Sequence, residues 1–179
     1  MSRTLIVYFS RPGENYTPEG IVSLRIGYTA YAASLAESLT GADVFRIDMA
    51  EPYPADYRAC CAAAKADLDA GARPALAHWP EPGVVEECRT LILCFPNYCG
   101  TAPMPVLSFL EQYDWSGRTI LPLVTHGGGG AGRSAADLAA AAPGAVVQEA
   151  LAIPGHAAAG AKLDIQLWLT QHGVGMEES

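Results

Sequence analysis

Residues 4–10 read Thr4-Leu-Ile-Val-Tyr-Phe-Ser10, an apolar run that stops at a hydroxyl residue. Such a run predicts a buried strand, over Leu5–Phe9, that ends in a polar loop. Further along, Thr29 stands directly before the helix-forming run 30–39, where a hydroxyl residue can cap the first turn. Helix N-termini attract phosphate because their first N–H groups lack partners within the helix. The segment therefore predicts an anion site that uses Ser10 and Thr29.

Strand and helix patterns alternate along the rest of the chain. Further strands are predicted at 43–48, 90–95, 119–124 and 146–153, and helices at 29–39, 56–70, 106–112, 133–142 and 162–171. The alternating polar and apolar residues of 43–48 indicate an edge strand, and Pro122 is expected at a bulge or an edge. Five strands alternating with helices predict an α/β fold, a doubly wound parallel sheet with helices on both faces.

The same pattern predicts how the chain is divided. Residues 1–172 are expected to form one domain, and residues 173–179 a flexible polar tail. The closing helix is expected to draw most of its apolar surface from Ile165, Leu167, Trp168 and Leu169.

The bulk composition narrows the possible partners. The net charge is −8 and the pI is about 4.8, which argues against nucleic acid and anionic membranes as partners. No apolar run approaches the roughly 20 residues that span a bilayer, and the first residues lack the pattern of a secretory leader. Five cysteines without paired spacing favour reduced thiols and no bound metal. A cytoplasmic protein is the expectation.

Three loops follow the first, third and fourth predicted strands. Parallel sheets bind ligands beyond the carboxyl ends of their strands, at the point where the strand order reverses. These loops contain hydroxyls for a phosphate, an aromatic ring at Tyr98, and glycines that allow the backbone to approach a flat ring. This composition is the one that a flavin mononucleotide (FMN) site needs. The loops are Ser10–Tyr16, Phe95–Pro105 and Thr125–Ser134.

Several motifs in these loops resemble a known family. The motifs YFSRPGENY, a later G-x-T at 27–29, FPNYCGTAPMP and THGGGGAG are similar to those of flavodoxin-like proteins. They resemble in particular a branch with an insertion between the first phosphate-loop serine and the G-N-T motif. The resemblance covers residues 4 to about 168 and implies a sheet of order 2-1-3-4-5, with FMN where the first and third strands diverge.

The resemblance also assigns site residues. It implies that Ser10 and Thr29 bind the phosphate, with Asn15, Tyr16 and Tyr28 nearby. It further implies that two loops flank the isoalloxazine ring. One consists of Pro96, Asn97, Tyr98, Cys99, Gly100 and Thr101; the other contains Thr125, His126, Gly127, Gly128, Gly129 and Gly132.

Two positions depart from the family pattern. Tyr28 replaces the asparagine of G-N-T, and Tyr98 stands where the family often has tryptophan. His126 has two readings, as a hydrogen-bonded structural residue or as a catalytic proton donor to the substrate or the reduced ring. For Cys99, a contact through the backbone N–H is favoured over a redox role for the thiol.

The functional alternatives stay open at this level. The two ring-flanking loops, 96–105 and 125–134, contain no Asp or Glu, which favours an FMN-dependent oxidoreductase of a small conjugated or quinone-like acceptor. An electron carrier between redox protein partners is the alternative, and a module that has lost FMN is a remote one. Residues 127–134 also nearly match the phosphate-loop sequence pattern G-x(4)-G-K-[ST], but Arg133 replaces the required lysine. The sequence does not determine the oligomeric state.

Overall fold

A computed structural model describes residues 3–175. In these residues strands and helices alternate as the sequence predicts, with an additional hairpin near the N-terminus. The strands are β1 (Thr4–Tyr8), β2 (Gly13–Thr17), β3 (Gly20–Leu24), β4 (Asp43–Arg46), β5 (Thr90–Pro96), β6 (Thr119–His126), β7 (Val146–Val147) and β8 (Leu151–Pro154). The helices are α1 (Tyr28–Thr40), α2 (Tyr57–Ala70), α3 (Met104–Leu110), α4 (Ser134–Ala141) and α5 (Lys162–Gln171), with a 3₁₀ helix at Gly155–Gly160.

The main sheet has the predicted order. Its strands run β4-β1-β5-β6-β7, and β8 also pairs with β6. All of these pairings are parallel. Because β7 and β8 together occupy the fifth position, the order is 2-1-3-4-5, and the doubly wound α/β prediction is confirmed. The predicted edge strand, β4, lies at the edge.

Side chains of the sheet alternate between two cores. Leu5 and Val7 belong to one apolar cluster and Ile6 to the other. Residues of α3 and α4 complete the first cluster, and residues of α1 and α5 complete the second. Helices therefore cover both faces, as predicted. Of the four residues expected to supply the apolar surface of the closing helix, Ile165, Trp168 and Leu169 are buried, and Leu167 is exposed on α5.

The fifth strand differs from the sequence prediction. Residues 146–153 form two short strands rather than one, with an interruption between them. The Gln148 N–H donates to the Ile120 carbonyl at 2.9 Å, so Ile120 faces the fifth strand. Pro122, two residues further along β6, faces the same way and has no N–H to donate. The register between β6 and the fifth strand shifts here by one residue, from Ile120–Val147 to Leu123–Leu151. One extra residue on one strand of a pair is a bulge, so Pro122 lies opposite a bulge, as expected.

The segment between Ser10 and Gly27 forms an antiparallel hairpin of β2 and β3. The Glu14 carboxylate accepts a hydrogen bond from the Tyr57 N–H at 2.7 Å, and the Glu14 N–H donates to the Ala55 carbonyl at 3.2 Å. These bonds attach the hairpin to the start of α2. The sequence did not predict its strands, because Gly13-Glu-Asn-Tyr-Thr17 lacks the regular apolar alternation of a strand.

Helix boundaries follow local chemistry with two corrections. Helix α1 has Gly27 as its N-cap, so Thr29 lies within the first turn and does not cap it. Helix α3 begins at Met104 because Pro105 is tolerated in a first turn, where its N–H has no helical partner. Helix α2 ends before Gly71, as expected, and this glycine has a φ of 60°.

Only part of the expected C-terminal tail can be described. Helix α5 ends at Gln171, and residues 176–179 of the expected tail lie outside the described residues. Within residues 3–175 no helix has the length and apolar character to cross a membrane.

Candidate cofactor site

A cavity of about 490 Å³ opens at the carboxyl ends of β1, β5 and β6. This volume lies in the range of small-molecule and cofactor sites. The structure brings most of the predicted site residues to its wall: Ser10, Asn15, Tyr16, Tyr28, Thr29, Pro96, Asn97, Tyr98, Cys99, Gly100, Thr125, His126, Gly127 and Gly129. Six further residues on the wall were not predicted: Arg11, Tyr57, Cys60, Cys61, Ala64 and Gly155.

The loop after β1 lies against the N-terminus of α1. Ser10 Oγ accepts a hydrogen bond from the Ala30 N–H at 3.1 Å, while Gly27, the N-cap, makes no side-chain cap bond. A Cβ added to Gly27 would lie 2.3 Å from Ser10 Oγ and 2.6 Å from the Arg11 carbonyl oxygen. Only glycine permits this approach. The hydroxyl and the first N–H groups of α1 are thereby brought together in an arrangement that suits a phosphate.

Thr29 connects α1 to the end of β6. Its Oγ1 lies 2.8 Å from Thr125 Oγ1, and both side chains are buried. Because the two hydroxyls share one hydrogen bond, the other hydroxyl proton is available to an acceptor in the cavity. Both residues were predicted at the site.

The loop after β5 is held in a tight turn. The Tyr98 N–H donates to the Thr101 carbonyl at 2.9 Å, and the Gly100 N–H donates to Asn97 Oδ1 at 2.8 Å. Cys99 and Gly100 have φ values of 55° and 84°. A positive φ is uncommon for a residue other than glycine and is often found at functional sites.

The loops after β5 and β6 are packed directly on each other. Asn97 Nδ2 donates to the Gly130 carbonyl at 2.8 Å, and the Arg133 N–H donates to the Gly100 carbonyl at 2.9 Å. A Cβ added to Gly132 would lie 2.1 Å from the Gly100 oxygen. Asn97 and Gly132 therefore fix the distance between the loops.

Three predicted residues do not line the cavity. Thr101 is buried and donates its hydroxyl proton to the Asp137 carboxylate, and Gly132 contacts the neighbouring loop. The Gly128 N–H donates to His126 Nδ1 at 3.0 Å. These residues support the loops from behind. Arg133, the residue in the lysine position of a phosphate-loop pattern, is paired with Asp137 at 3.0 Å.

His126 has a defined orientation. Since its Nδ1 accepts a hydrogen bond from the Gly128 N–H, a neutral imidazole carries its proton on Nε2. The side chain lines the cavity. The residue thus holds the glycine loop through Nδ1, and its Nε2 remains as a donor.

One face of α2 forms a wall that sequence reasoning missed. Tyr57, Cys60, Cys61 and Ala64 line the cavity, at spacings i, i+3, i+4 and i+7. This spacing places them on one side of a helix and was the available signal. The local sequence, however, does not show that this side of α2 faces the loops.

Aromatic rings surround the opening and the floor. The Tyr16 and Tyr57 rings lie 6.4 Å apart at an angle of 31°, and Tyr16 also lies against Gly127. Tyr98 packs edge-on to Phe9 at 6.0 Å and tilted against Tyr53 at 6.3 Å. Burial raises the pKa of the Tyr98 hydroxyl well above its usual value.

Two thiols at the cavity, those of Cys60 and Cys99, have raised pKa values. Burial raises the pKa of Cys60, and the nearby Arg11 guanidinium and Tyr98 hydroxyl act in the opposite direction. The pKa of Cys99 is also raised, first by burial and then by the neighbouring Cys61. A raised pKa keeps a thiol protonated at neutral pH, and the thiolate is the reactive form.

Charge is scarce around the cavity. Its wall contains no carboxylate among the described residues, and Arg11 is its one arginine or lysine. The Arg11 guanidinium is fixed by the Pro54 carbonyl at 2.8 Å and the Asp56 carbonyl at 3.3 Å. The Glu14 carboxylate lies outside the wall and accepts a hydrogen bond from the Tyr57 N–H at the start of α2, at 2.7 Å.

Tyr28 lies on the wall formed by α1. A Cβ added to Gly155 would lie 2.5 Å from Tyr28 Cδ2, so the tyrosine ring packs directly on the start of the 3₁₀ helix. The side chain that replaces the family asparagine therefore extends toward Gly155. No group of three or more histidine, cysteine, aspartate or glutamate side chains in residues 3–175 is placed to hold a metal ion.

Strand order, helix placement and cavity position together define a doubly wound α/β protein of flavodoxin topology. The family model described as flavodoxin matches residues 22–171, and the chain belongs to this family. The resemblance of the loop motifs to this family is thus confirmed, and the branch with an insertion after the phosphate-loop serine stays a prediction. A comparison with curated proteins finds no match.

Solved structures have the same fold. A candidate flavoprotein from Bacteroides eggerthii DSM 20697 superposes with a TM-score of 0.73 at 23% identity, covering 97% of this chain and 99% of the other. A second, from Bacteroides uniformis ATCC 8492, gives 0.72 at 22% identity over 94% and 98%. A flavoprotein in complex with FMN from Lactobacillus acidophilus NCFM gives 0.61 at 14% identity over 85% and 93%. At these identities the likeness concerns the fold.

Proposed function

We propose that this protein binds FMN in the cavity and acts as a redox protein. The observation that carries the proposal is the cavity itself, with Ser10 and the start of α1 on its wall and two glycine-bearing loops beside them. Support also comes from the related fold that was solved with FMN. A cytoplasmic location, with reduced thiols, belongs to the same proposal.

The residues present fit the two ends of FMN. Ser10 Oγ, a hydroxyl of the Thr29–Thr125 pair and the first N–H groups of α1 would hold the phosphate. The loops 96–100 and 125–129 would flank the ring system, since both line the cavity. When bound, FMN supplies one- or two-electron redox chemistry, and the protein orients it and controls access to it.

The charge around the cavity favours an enzyme over a strongly reducing carrier. A carboxylate about 8 Å from the ring would disfavour an anionic reduced flavin by roughly 2 kcal/mol at an effective dielectric constant of about 20, before screening. The described wall has no carboxylate and carries Arg11. The reduced cofactor is therefore expected at a less negative potential than in a strongly reducing carrier.

The opening of the cavity suits a flat acceptor. The Tyr16 and Tyr57 rings stand at the wall, where they offer apolar faces to a conjugated or quinone-like molecule. His126 Nε2 is the donor from which such an acceptor would receive a proton. We therefore propose an FMN-dependent oxidoreductase of a small conjugated or quinone-like acceptor.

The alternative is an electron carrier between protein partners. The net charge of −8 is compatible with docking on a basic surface, and Tyr16 is 49% exposed at the cavity opening. In that case the reduced protein would react slowly with small acceptors and rapidly with a redox protein.

Spectra and rapid kinetics test these proposals. The purified protein, mixed with FMN, should develop a flavin spectrum that changes on binding, and a protein that takes up no FMN would contradict the cofactor assignment. Stopped-flow mixing of the reduced holoprotein with benzoquinones, and of the oxidised holoprotein with NAD(P)H, then distinguishes enzyme from carrier. Oxidation by quinone that is no faster than that of free reduced FMN would favour the carrier.

A further inference from the structure

Strand β3 presents a free edge. It pairs with β2 alone, in a two-stranded sheet separate from the main sheet. Gly20 through Ser23 are exposed, including Ile21 at 47% and Val22 at 37%. The strand contains no proline or lysine, the residues that commonly protect an edge from pairing with another chain. An apolar, unprotected edge of this kind is a template for a further strand.

The register of the hairpin shows which backbone groups face outward. The Glu14 N–H donates to the Ala55 carbonyl, on the side of β2 away from β3. Backbone groups alternate in direction along a strand, so Glu14 and the residue opposite it, Ser23, make no ladder bond to each other. Ile21, two residues before Ser23, has the same direction. The N–H and C=O groups of Ile21 and Ser23 therefore point to the free edge.

We infer that the occupant of this edge is a second copy of the chain. The two β3 strands would run antiparallel about a two-fold axis at Val22. The backbone N–H and C=O groups of Ile21 in each strand would then bond those of Ser23 in the other strand. All the outward-facing backbone groups of β3 are thereby paired, in the alternating pattern of an antiparallel ladder. The pairing would join the two hairpins into one four-stranded sheet and place the Val22 side chains of the two copies opposite each other at its centre.

The charges at the ends of β3 select this partner and this register. Glu19 and Arg25 lie three residues to either side of Val22 and are both exposed. In the symmetric pairing, Glu19 of each chain faces Arg25 of the other at both ends of the interface. If the register between the two β3 strands shifted by two residues, outward-facing backbone groups could still bond each other. Glu19 and Arg25, however, would no longer face each other. Neither residue forms an ion pair within the described part of the chain.

Charge reversal tests the register. Sedimentation velocity of the full chain at low salt, from about 10 µM to 1 mM, should show a monomer–dimer equilibrium. Arg25→Glu and Glu19→Arg each create like charges at both ends and should raise the dimer dissociation constant by about tenfold. An equimolar mixture of the two variants pairs opposite charges again and should dimerise as tightly as the wild type. Lys162→Glu, which makes the same charge change on α5, should leave the constant unchanged.

Three results would overturn the inference. The first is a wild-type monomer across the whole concentration range, which would leave the edge to another protein. The second is a dimer that both charge reversals leave unaltered. The third is a mixture of the two variants that associates no better than either alone. Circular dichroism and FMN uptake of each variant check that the hairpin remains folded.

Discussion

Replacing Gly27 by alanine isolates the phosphate end of the site. The backbone at Gly27 has φ −67° and ψ 155°, which alanine adopts without strain. The added Cβ, however, would lie 2.3 Å from Ser10 Oγ, far inside the roughly 3.5 Å of ordinary non-bonded contact. The Ser10 loop must therefore move away from the start of α1.

Two free energies follow from this movement. The protein loses the bond from the Ala30 N–H to Ser10 Oγ and packs less well, which should cost about 1–3 kcal/mol of unfolding free energy. FMN loses a hydroxyl contact to its charged phosphate, which should cost about 2 kcal/mol, or about 30-fold in dissociation constant. Riboflavin has no phosphate, so its affinity should change little.

Fluorescence titration of the apoprotein with FMN and with riboflavin measures both affinities, and urea unfolding measures the stability. Gly160→Ala is the matched control, because a Cβ there meets no atom within 4 Å. Equal losses of FMN and riboflavin affinity would refute the assignment of this end to the phosphate. So would an FMN affinity that does not change at all.

Three further predictions concern the loops and thiols of the cavity. His126→Asn retains an acceptor for the Gly128 N–H but removes the Nε2 donor. Reduction of the acceptor by the reduced, FMN-saturated protein should slow by about 100-fold, and an unaltered rate would remove the residue from proton transfer. Gly132→Ala should cost about 3 kcal/mol in urea unfolding, because its Cβ would lie 2.1 Å from a backbone oxygen at a φ of 56°. Gly130→Ala, at a φ of 64° with no atom within 4 Å, should cost only about 1 kcal/mol, and equal losses would contradict the loop contact. Iodoacetamide should label the exposed Cys61 and Cys99 of the apoprotein, and FMN should slow both reactions. Because the pKa of Cys99 is raised, its labelling rate should continue to increase at pH values above the usual pKa range of a thiol. Labelling is measured by peptide mass spectrometry, and equal rates with and without FMN would place the cofactor elsewhere.

The local sequence determined the order of elements. Buried strands of a parallel sheet are short continuous apolar runs, so 90–95 and 119–124 could be recognised without any partner. The end of α2 followed from Gly71, since glycine adopts the left-handed conformation that terminates a helix. The alternation of strands and helices then restricted the topology, and the loops after the strands became the expected site.

Tertiary contacts decided what those local signals left open. The β2–β3 hairpin depends on bonds from Glu14 to the start of α2, about 40 positions later. The interruption between β7 and β8 lies opposite Pro122, a residue of another strand. The wall formed by Tyr57 and its neighbours became part of the site only because α2 packs beside the loops.

The residues that hold the site together also divide into what the sequence indicates and what only the tertiary structure decides. Ser10 and Thr29 could be selected from the sequence because hydroxyls at a strand end and a helix start suit an anion. Their actual partners, the Ala30 N–H and Thr125 Oγ1, lie 20 and 96 positions away. Sequence patterns report preferences over a few residues, whereas the shape of a cavity is set by distances between segments that meet only when the chain has folded.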